Sequence, residues 1–315
     1  MTKDPPAPRH PRVRGGRLQG GRAARALLAA RAVAAEHGVR STEPRVLQDG
    51  VNVVVHLAPA PVVARVATLT PLLRTSPLRS FAREVAVAGA LAAAGAPVVA
   101  PSALVPAGPH RYAGLELSFW QHVEVLPVAP SPGETAGALV ELHGSLTALP
   151  VDGAPLDTPL DDLARFVSLG GAWGAAPAQL DRLRERLADL RPRLDGEVVR
   201  LHGDAHPGNL LATPGGWRWT DLEDTCAGPR AWDLACLRST SRLDGRAALD
   251  AIGGPSDAEL APWLELRRLH AAAWRTVLAA GHPERRAAPL QGPPATSLGV
   301  GRTGSSHTSG SAGSR

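Results

Sequence analysis

The chain has 315 residues, 44% hydrophobic and 20% charged, which is enough for a real core and excludes a wholly disordered, collagenous or coiled-coil protein. Of a net charge of +5, residues 1–25 carry +6 and residues 282–315 carry +3, leaving −4 on residues 26–281. Basic tails on an acidic body argue against a specific nucleic-acid partner, and no run reaches the ~20 apolar residues of a membrane span. Two cysteines, Cys226 and Cys236, cannot build a disulfide framework and point to a reducing cytoplasm. Lys3 is the single lysine among 34 basic residues, so mechanisms that need a lysine in the folded body, such as a Schiff base or a P-loop, are excluded.

Residues 1–21 read as a solvated basic arm. Leu27, Leu28, Ala30 and Val33 predict a helix over 22–37, closed by Gly38. From Pro44 the texture becomes β-rich. The runs 51–56 and 62–67 flank Leu57-Ala58-Pro59-Ala60-Pro61 and predict a hairpin. A helix is predicted over 79–94, stopped by Gly95 and Pro97, with strands over 98–105 and 115–125. After a Pro-rich break at 127–132, helices are predicted over 133–149, 159–169 and 178–190, the last with a core stripe of Leu180, Leu183, Leu187 and Leu190. A compact β-rich insert over 198–224 precedes helices near 231–238, 245–252 and 257–280. Beyond Arg286 the chain is Gly, Ser, Thr and Pro with little to bury, which predicts disorder over 286–315.

The chemistry concentrates in one segment. A hydrophobic run, Val198-Val199-Arg200-Leu201, enters His202-Gly203-Asp204-Ala205-His206-Pro207-Gly208-Asn209 and returns to apolar residues. Pro214-Gly215-Gly216 then marks a hairpin turn. Asn209 enters the first strand and Asp221 leaves the second, so both should finish near each other and near Asp204. Two carboxylates and an amide offer only oxygen ligands, which suit a hard cation such as Mg2+ that also takes substrate phosphates. The Asp204-x-x-x-x-Asn209 spacing matches the catalytic loop of protein kinases, where the Asp accepts a hydroxyl proton and the Asn holds metal. Asp221-Leu222-Glu223 stands where those enzymes carry Asp-Phe-Gly.

Taken together, His202-Gly203-Asp204-Ala205-His206-Pro207-Gly208-Asn209, Asp221 and Ala231-Trp232-Asp233-Leu234-Ala235 resemble the aminoglycoside phosphotransferase and choline kinase superfamily. The likeness is specific over 198–236 and rests on element order and hydrophobic texture over 45–125. It implies an α+β, two-lobed protein-kinase-like fold, with a small β-rich N-lobe within 22–125 and a larger, mainly helical C-lobe over 126–285. It also implies Mg-dependent transfer of the γ-phosphoryl group of ATP or GTP to a hydroxyl of a small molecule. By the resemblance, Asp204 is the base, Asn209 and Asp221 hold Mg2+, Asp233 and His202 support the loop, and His206 has a less defined place.

The N-lobe should supply a nucleotide clamp. Arg65 sits in the strand where protein kinases place lysine, and Glu84 is the matching acid, on a helix face shared with Phe81, Ala88 and Leu91. A carboxylate at a core-facing position needs a cation, and arginine can fill the lysine's place. Gln48-Asp49-Gly50-Val51-Asn52 would be the turn over the phosphates, with Gly50 and Asn52 nearest the nucleotide. Glu223 and Asp224 are expected as an acidic rim of the acceptor site; with Asp157, Asp161 and Asp162 they would suit a cationic acceptor. Two other readings stay open at this point: a metal-dependent hydrolase using His202, Asp204 and His206, and a non-catalytic kinase-like binding protein.

Overall fold

The structure is a computed structural model and describes residues 21–281. The expected basic arm lies outside these residues save Gly21, and the expected Gly/Ser tail lies wholly outside them. Helix α1 (Arg22–Glu36) buries Ala26, Ala30, Val33 and Ala34, a stripe of small residues that lets it lie close against a sheet. Strands β1 (Arg45–Asp49), β2 (Asn52–His56) and β3 (Val62–Ala67) follow. A single helical turn, α2 (Thr70–Leu73), leads into α3 (Pro77–Ala93), and then come β4 (His110–Tyr112) and β5 (Leu115–Gln121). The five strands form one antiparallel sheet in the order β1-β2-β3-β5-β4.

The two-residue alternation of a strand separates two tasks on β3. Val62, Ala64 and Val66 join Val53, Val55, Leu117, Phe119 and the α1 stripe in one apolar cluster. Val63 and Arg65 stand on the opposite face, toward α3. Two strands escape the sequence reading. In β1 all four residues before Asp49, Arg45, Val46, Leu47 and Gln48, are exposed, so the strand lacks a buried face to betray it. β4 is only three residues long and joins β5 through Ala113-Gly114, both at positive φ. The strand expected over 98–105 is absent. Val98 and Pro101 make isolated bridges to Trp219 and Trp120, and Pro97, Pro101 and Pro106 remove the donors a ladder needs.

The second lobe is helical: α4 (Pro132–Leu146), α5 (Asp157–Leu169), α6 (Pro177–Leu190), α7 (Ala231–Arg238), α8 (Gly245–Asp250) and α9 (Ala261–Gly281). The N-terminus of α4 is set by a capping box, in which Ser131 accepts from Glu134 N–H at 3.2 Å and Glu134 accepts from Ser131 N–H at 2.9 Å. Leu163, Phe166, Leu183, Leu187, Trp232 and Leu266 weld α5, α6, α7 and α9 into one cluster. Between α6 and α7 lie four short strands. β6 (Val199–Arg200) pairs with β9 (Ala227–Gly228), and β7 (Leu210–Thr213) forms the expected hairpin with β8 (Gly216–Trp219). This is a two-lobed α+β architecture, and among the described residues no helix is long and apolar enough to cross a membrane.

Candidate active site

The loop that follows β6 is fixed before any functional side chain is considered. Gly203 has φ +93°, and a Cβ there would collide with the backbone carbonyl of Asp224, so only glycine fits. Asp233, fully buried in the first turn of α7, accepts from the backbone N–H groups of His202 at 2.9 Å and Gly203 at 2.8 Å, and from His143 Nε2 at 2.9 Å. Burial alone would raise the Asp233 carboxyl, but these donors hold it below the usual carboxylate range. Trp232 Nε1 donates to Gly203 O at 2.8 Å. His202 is enclosed with both ring nitrogens committed: Nδ1 accepts from Asp204 N–H at 3.3 Å and Nε2 donates to Thr220 O at 3.1 Å. His206 Nδ1 accepts from Gly208 N–H at 2.9 Å, while Nε2 lies 3.4 Å from Asp204 Oδ2.

Loop and hairpin are stitched through Asn209. Its Nδ2 donates to Asp204 O at 3.0 Å, and its carbonyl accepts from Thr220 N–H at 2.9 Å. With Leu210 opposite Trp219, Asp221 follows directly at the hairpin's exit, in left-handed backbone at φ 66°. That is an unusual conformation for a residue with a side chain, and such conformations concentrate at functional sites. Asp204, Asn209 and Asp221 therefore meet at one end of the β7–β8 hairpin. With the amide nitrogen of Asn209 spoken for, its Oδ1 has no partner among the described residues, and neither has Asp221 Oδ2. One carboxylate and one carboxamide oxygen, uncommitted at the same end of the hairpin, are a donor set that fits Mg2+.

Across the cleft, Arg65 Nη1 donates to Glu84 Oε1 at 2.6 Å, and Nη2 bonds Asp221. Arg65 thus joins the α3 acid to the hairpin. Although burial opposes its charge, Asp221, Glu84 and Glu223 together keep it firmly a cation. For Glu84, only 1% exposed and with Oε2 unpartnered, burial outweighs its share of Arg65, and the nearby Asp221 and Glu223 add to the effect. Its carboxyl is pushed up to about 8.

Of the two acids expected at the acceptor-site rim, both border the cleft, but Glu223 is buried and Asp224 only half-buried. Glu223 is 3% exposed and accepts from Asn52 Nδ2 at 2.5 Å and Arg74 Nη1 at 2.9 Å, with Arg65 Nη2 at 3.2 Å. It is a buried knot between the lobes. Its carboxyl is raised by burial in spite of both arginines. Asp224 is also raised by burial, although Arg74 Nη2 stands 2.6 Å away. Asn52 is held at both ends, since its Oδ1 accepts from Thr70 Oγ1 at 2.7 Å. Gly50 lies in the β1–β2 turn, its N–H donating to Asn52 O at 3.0 Å.

Four residues of the site were not anticipated: Arg74, Arg267, His270 and Trp274. Arg74, just past α2, reaches Glu223, Asp224 and Asp162, the last through two bonds of 3.2 and 3.0 Å. Asp162 also accepts from His270 Nε2 at 2.9 Å and Trp274 Nε1 at 3.0 Å. Burial would raise its carboxyl, but Arg74 and His270 drive it well below the usual range. Arg267 Nη2 lies 2.7 Å from Asp204 Oδ1. Burial opposes ionisation of Asp204 too, yet Arg267 and His206 hold its carboxyl well below the ordinary value. The signal that could have found the α9 residues is a polar set at 267, 270 and 274, spaced three and four apart on a core-facing helix. Arg74 has no such pattern around it.

Of these residues, Asn52, Arg65, Arg74, Asp204, Asp221, Glu223, Asp224, Arg267, His270 and Trp274, with Val51, Ala271, Arg275 and Leu278, line a cleft of about 260 Å3. A wider depression of about 380 Å3 beside the β4–β5 turn is dominated by the Arg111–Glu116 pair, closed at 3.0 Å. A five-stranded sheet with its buried Arg–Glu pair, set over a helical lobe whose loop and hairpin face that pair, is the protein-kinase-like fold. The chain belongs to the phosphotransferase enzyme family, whose model matches residues 48–266.

Solved structures share the fold at low identity. Choline kinase LicA from Streptococcus pneumoniae is 17% identical, with a TM-score of 0.54, over 77% of this chain and 87% of that one. Amicoumacin kinase hAmiN, solved with AMP-PNP, Ca2+ and Ami, is 14% identical with a TM-score of 0.54 over 78% and 90%. The gentamicin complex of APH(2")-IIa gives 15% and 0.53 over 78% and 87%. No protein of the curated set matches.

Proposed function

We propose that the protein transfers the γ-phosphoryl group of ATP or GTP to a hydroxyl of a small molecule, with Mg2+ as the metal. The observation that carries this reading is the convergence of Asp204, Asn209 and Asp221 at one hairpin end, facing Arg65 and Glu84. In the reaction the acceptor oxygen bonds to the γ-phosphorus, the bond from that phosphorus to the β–γ bridging oxygen breaks, and the nucleoside diphosphate leaves with the electron pair. The hydroxyl proton passes to Asp204, an acceptor kept ionised by Arg267. Bound Mg2+ would neutralise charge on the phosphate oxygens, and Asn209 Oδ1 with Asp221 are the residues to hold it. Arg65, anchored by Glu84, is suited to a phosphate oxygen.

The related solved structures lend support: one is a choline kinase, one an amicoumacin kinase solved with AMP-PNP and Ca2+, and one was solved with gentamicin. The hydrolase reading loses its ligands, because His202 has no lone pair free for a metal. Among the described residues no group of three His, Cys, Asp or Glu side chains is arranged to hold one. A purely binding role is disfavoured by the presence of the base and both oxygen donors. The deciding experiment is a thermal-shift titration with Mg-ATP, Mg-GTP, Zn2+ alone and nucleotide alone, paired with ADP release over a panel of alcohols. Stabilisation by a Mg-nucleotide and acceptor-dependent ADP release are expected. Stabilisation by Zn2+ alone, or the absence of any Mg-nucleotide effect, overturns the proposal.

A further inference from the structure

The charges along the cleft say something about the acceptor, given the phosphotransfer reading above on which this rests. Each acid lining the cleft is already matched from within the protein. Asp221 is bound by Arg65, and Glu223 by Arg65 and Arg74. Asp224 is bound by Arg74 at 2.6 Å, and Asp204 by Arg267 at 2.7 Å. The acids that would suit a cationic acceptor in the sequence are likewise engaged or absent from the lining. Asp162 is spent on Arg74, His270 and Trp274, Asp157 pairs with Arg83 at 3.2 Å, and neither these nor Asp161 lines the cleft.

What remains available is positive. The wall opposite the sheet is one face of α9: Arg267, His270, Ala271, Trp274, Arg275 and Leu278 recur at three- and four-residue spacing. Arg275 is exposed and makes no ion pair or hydrogen bond among the described residues. Among the described residues Arg267 is engaged only through Nη2, on Asp204, and its remaining N–H groups have no partner there. A hydroxyl that reaches Asp204 therefore arrives beside a guanidinium. At that distance a neighbouring ammonium is repelled, whereas a neighbouring carboxylate gains a charge-assisted, planar contact. The second arginine lies two turns further along α9, about 12 Å along the axis, toward the cleft's far end.

We infer that the acceptor is a hydroxy acid: a small molecule whose carboxylate is held by Arg267 while its hydroxyl faces Asp204, with Arg275 drawing the anion into the cleft. The step is the phosphotransfer described above; the acid becomes a phosphomonoester, the nucleotide a diphosphate, and the carboxylate is unchanged.

The test uses two scaffolds in three charge forms. D-Glycerate is compared with glycerol and 3-aminopropane-1,2-diol, and D-gluconate with D-glucitol and D-glucamine, alongside a wider panel of hydroxy acids, their amides and the matching amino alcohols. ADP release is read with the full chain at fixed Mg-ATP. The expected result is that the compounds turned over are acids, and that the amide of the best acid has at least ten-fold lower kcat/KM. Arg267→Gln should bring the acid-to-amide ratio of kcat/KM close to one, which a merely structural arginine would leave unchanged. Arg275→Gln should raise KM for the acid several-fold with kcat and the KM for ATP unaltered. Turnover confined to neutral or amino compounds overturns the inference, as does an acid-to-amide ratio that survives Arg267→Gln. So does absence of turnover of every acid by protein that binds Mg-ATP in the thermal-shift assay. Protein that binds no Mg-nucleotide at all would instead fail the phosphotransfer reading itself.

Discussion

At the scale of single residues, Asp204 shows how a half-buried base can stay ready. Arg267 and His206 keep it ionised where burial would protonate it. Asp204→Asn should therefore lower kcat by about 10²–10⁴ while the Mg-ATP thermal shift stays as in the wild type; an unaltered kcat removes Asp204 from the mechanism. Because Arg267 lowers the Asp204 carboxyl, Arg267→Gln should move the acid limb of kcat/KM to higher pH, measured at pH 4–7 against the wild type. Glu84 works in the opposite direction. Its folded value of about 8 lies above its unfolded value of 4.5, so the folded state binds more protons between them, and its contribution to stability is complete below pH 4.5 and falls away as pH rises through 8. Glu84→Gln should flatten that part of the pH–stability curve in urea unfolding; an identical slope in both proteins would refute the shift.

At the scale of elements, the short strands and turns of the loop–hairpin unit are where sequence and structure agree most closely. The convergence of Asp204, Asn209 and Asp221 and the place of Asp233 could be read because they depend on local spacing: a hairpin that returns to its start, and an acid in the first turn of the next helix. Gly203→Ala makes that dependence measurable. The added methyl meets the Asp224 carbonyl on a backbone at φ +93°, and a loss of at least ~2 kcal/mol is expected in equilibrium unfolding. Glu223 misled because burial is a property of tertiary packing. Next to Asp221 in a polar turn it reads as solvated, and only the approach of Arg65 and Arg74 from the other lobe encloses it. Arg74 was invisible for a related reason, since its partner Asp162 lies 88 positions away in the chain and no periodicity marks it. The missed β1 and the absent 98–105 strand follow the same division: exposure hides a strand, and proline imitates the apolar texture of one without supplying its donors.

For the molecule as a whole, one apolar cluster lies under α1 and another among α5, α6, α7 and α9, while a third runs from α3 and β5 of the first lobe to α4, α8 and the β7–β8 hairpin of the second. Beside that shared core a layer of ions lies between sheet and helices. Arg74 is its hub, bonded to Asp162, Glu223 and Asp224 and placed 5.4 Å from the Trp274 ring. Replacing it by methionine would take a cation from three carboxylates and leave Asp224 without its arginine, and a loss of about 3–5 kcal/mol is expected, together with weaker Mg-ATP binding because Glu223 is less firmly held against Asn52 and Arg65. Since these pairs are shielded from solvent, the wild-type melting temperature should change little between 0.05 and 0.5 M NaCl. A steep fall with salt would show that the layer is hydrated and the Arg74 hub unimportant.

The guanidinium on β3 has a practical corollary. Nucleotide-site reagents that tag kinases usually acylate the ε-amine beside the phosphates, and here no amine stands at that position. The single lysine of the chain is Lys3, outside the described residues. Acyl-phosphate and aldehyde probes should consequently pass the cleft by and mark only the chain's beginning, so a proteome survey built on such labels would overlook this enzyme even when it is abundant and fully active.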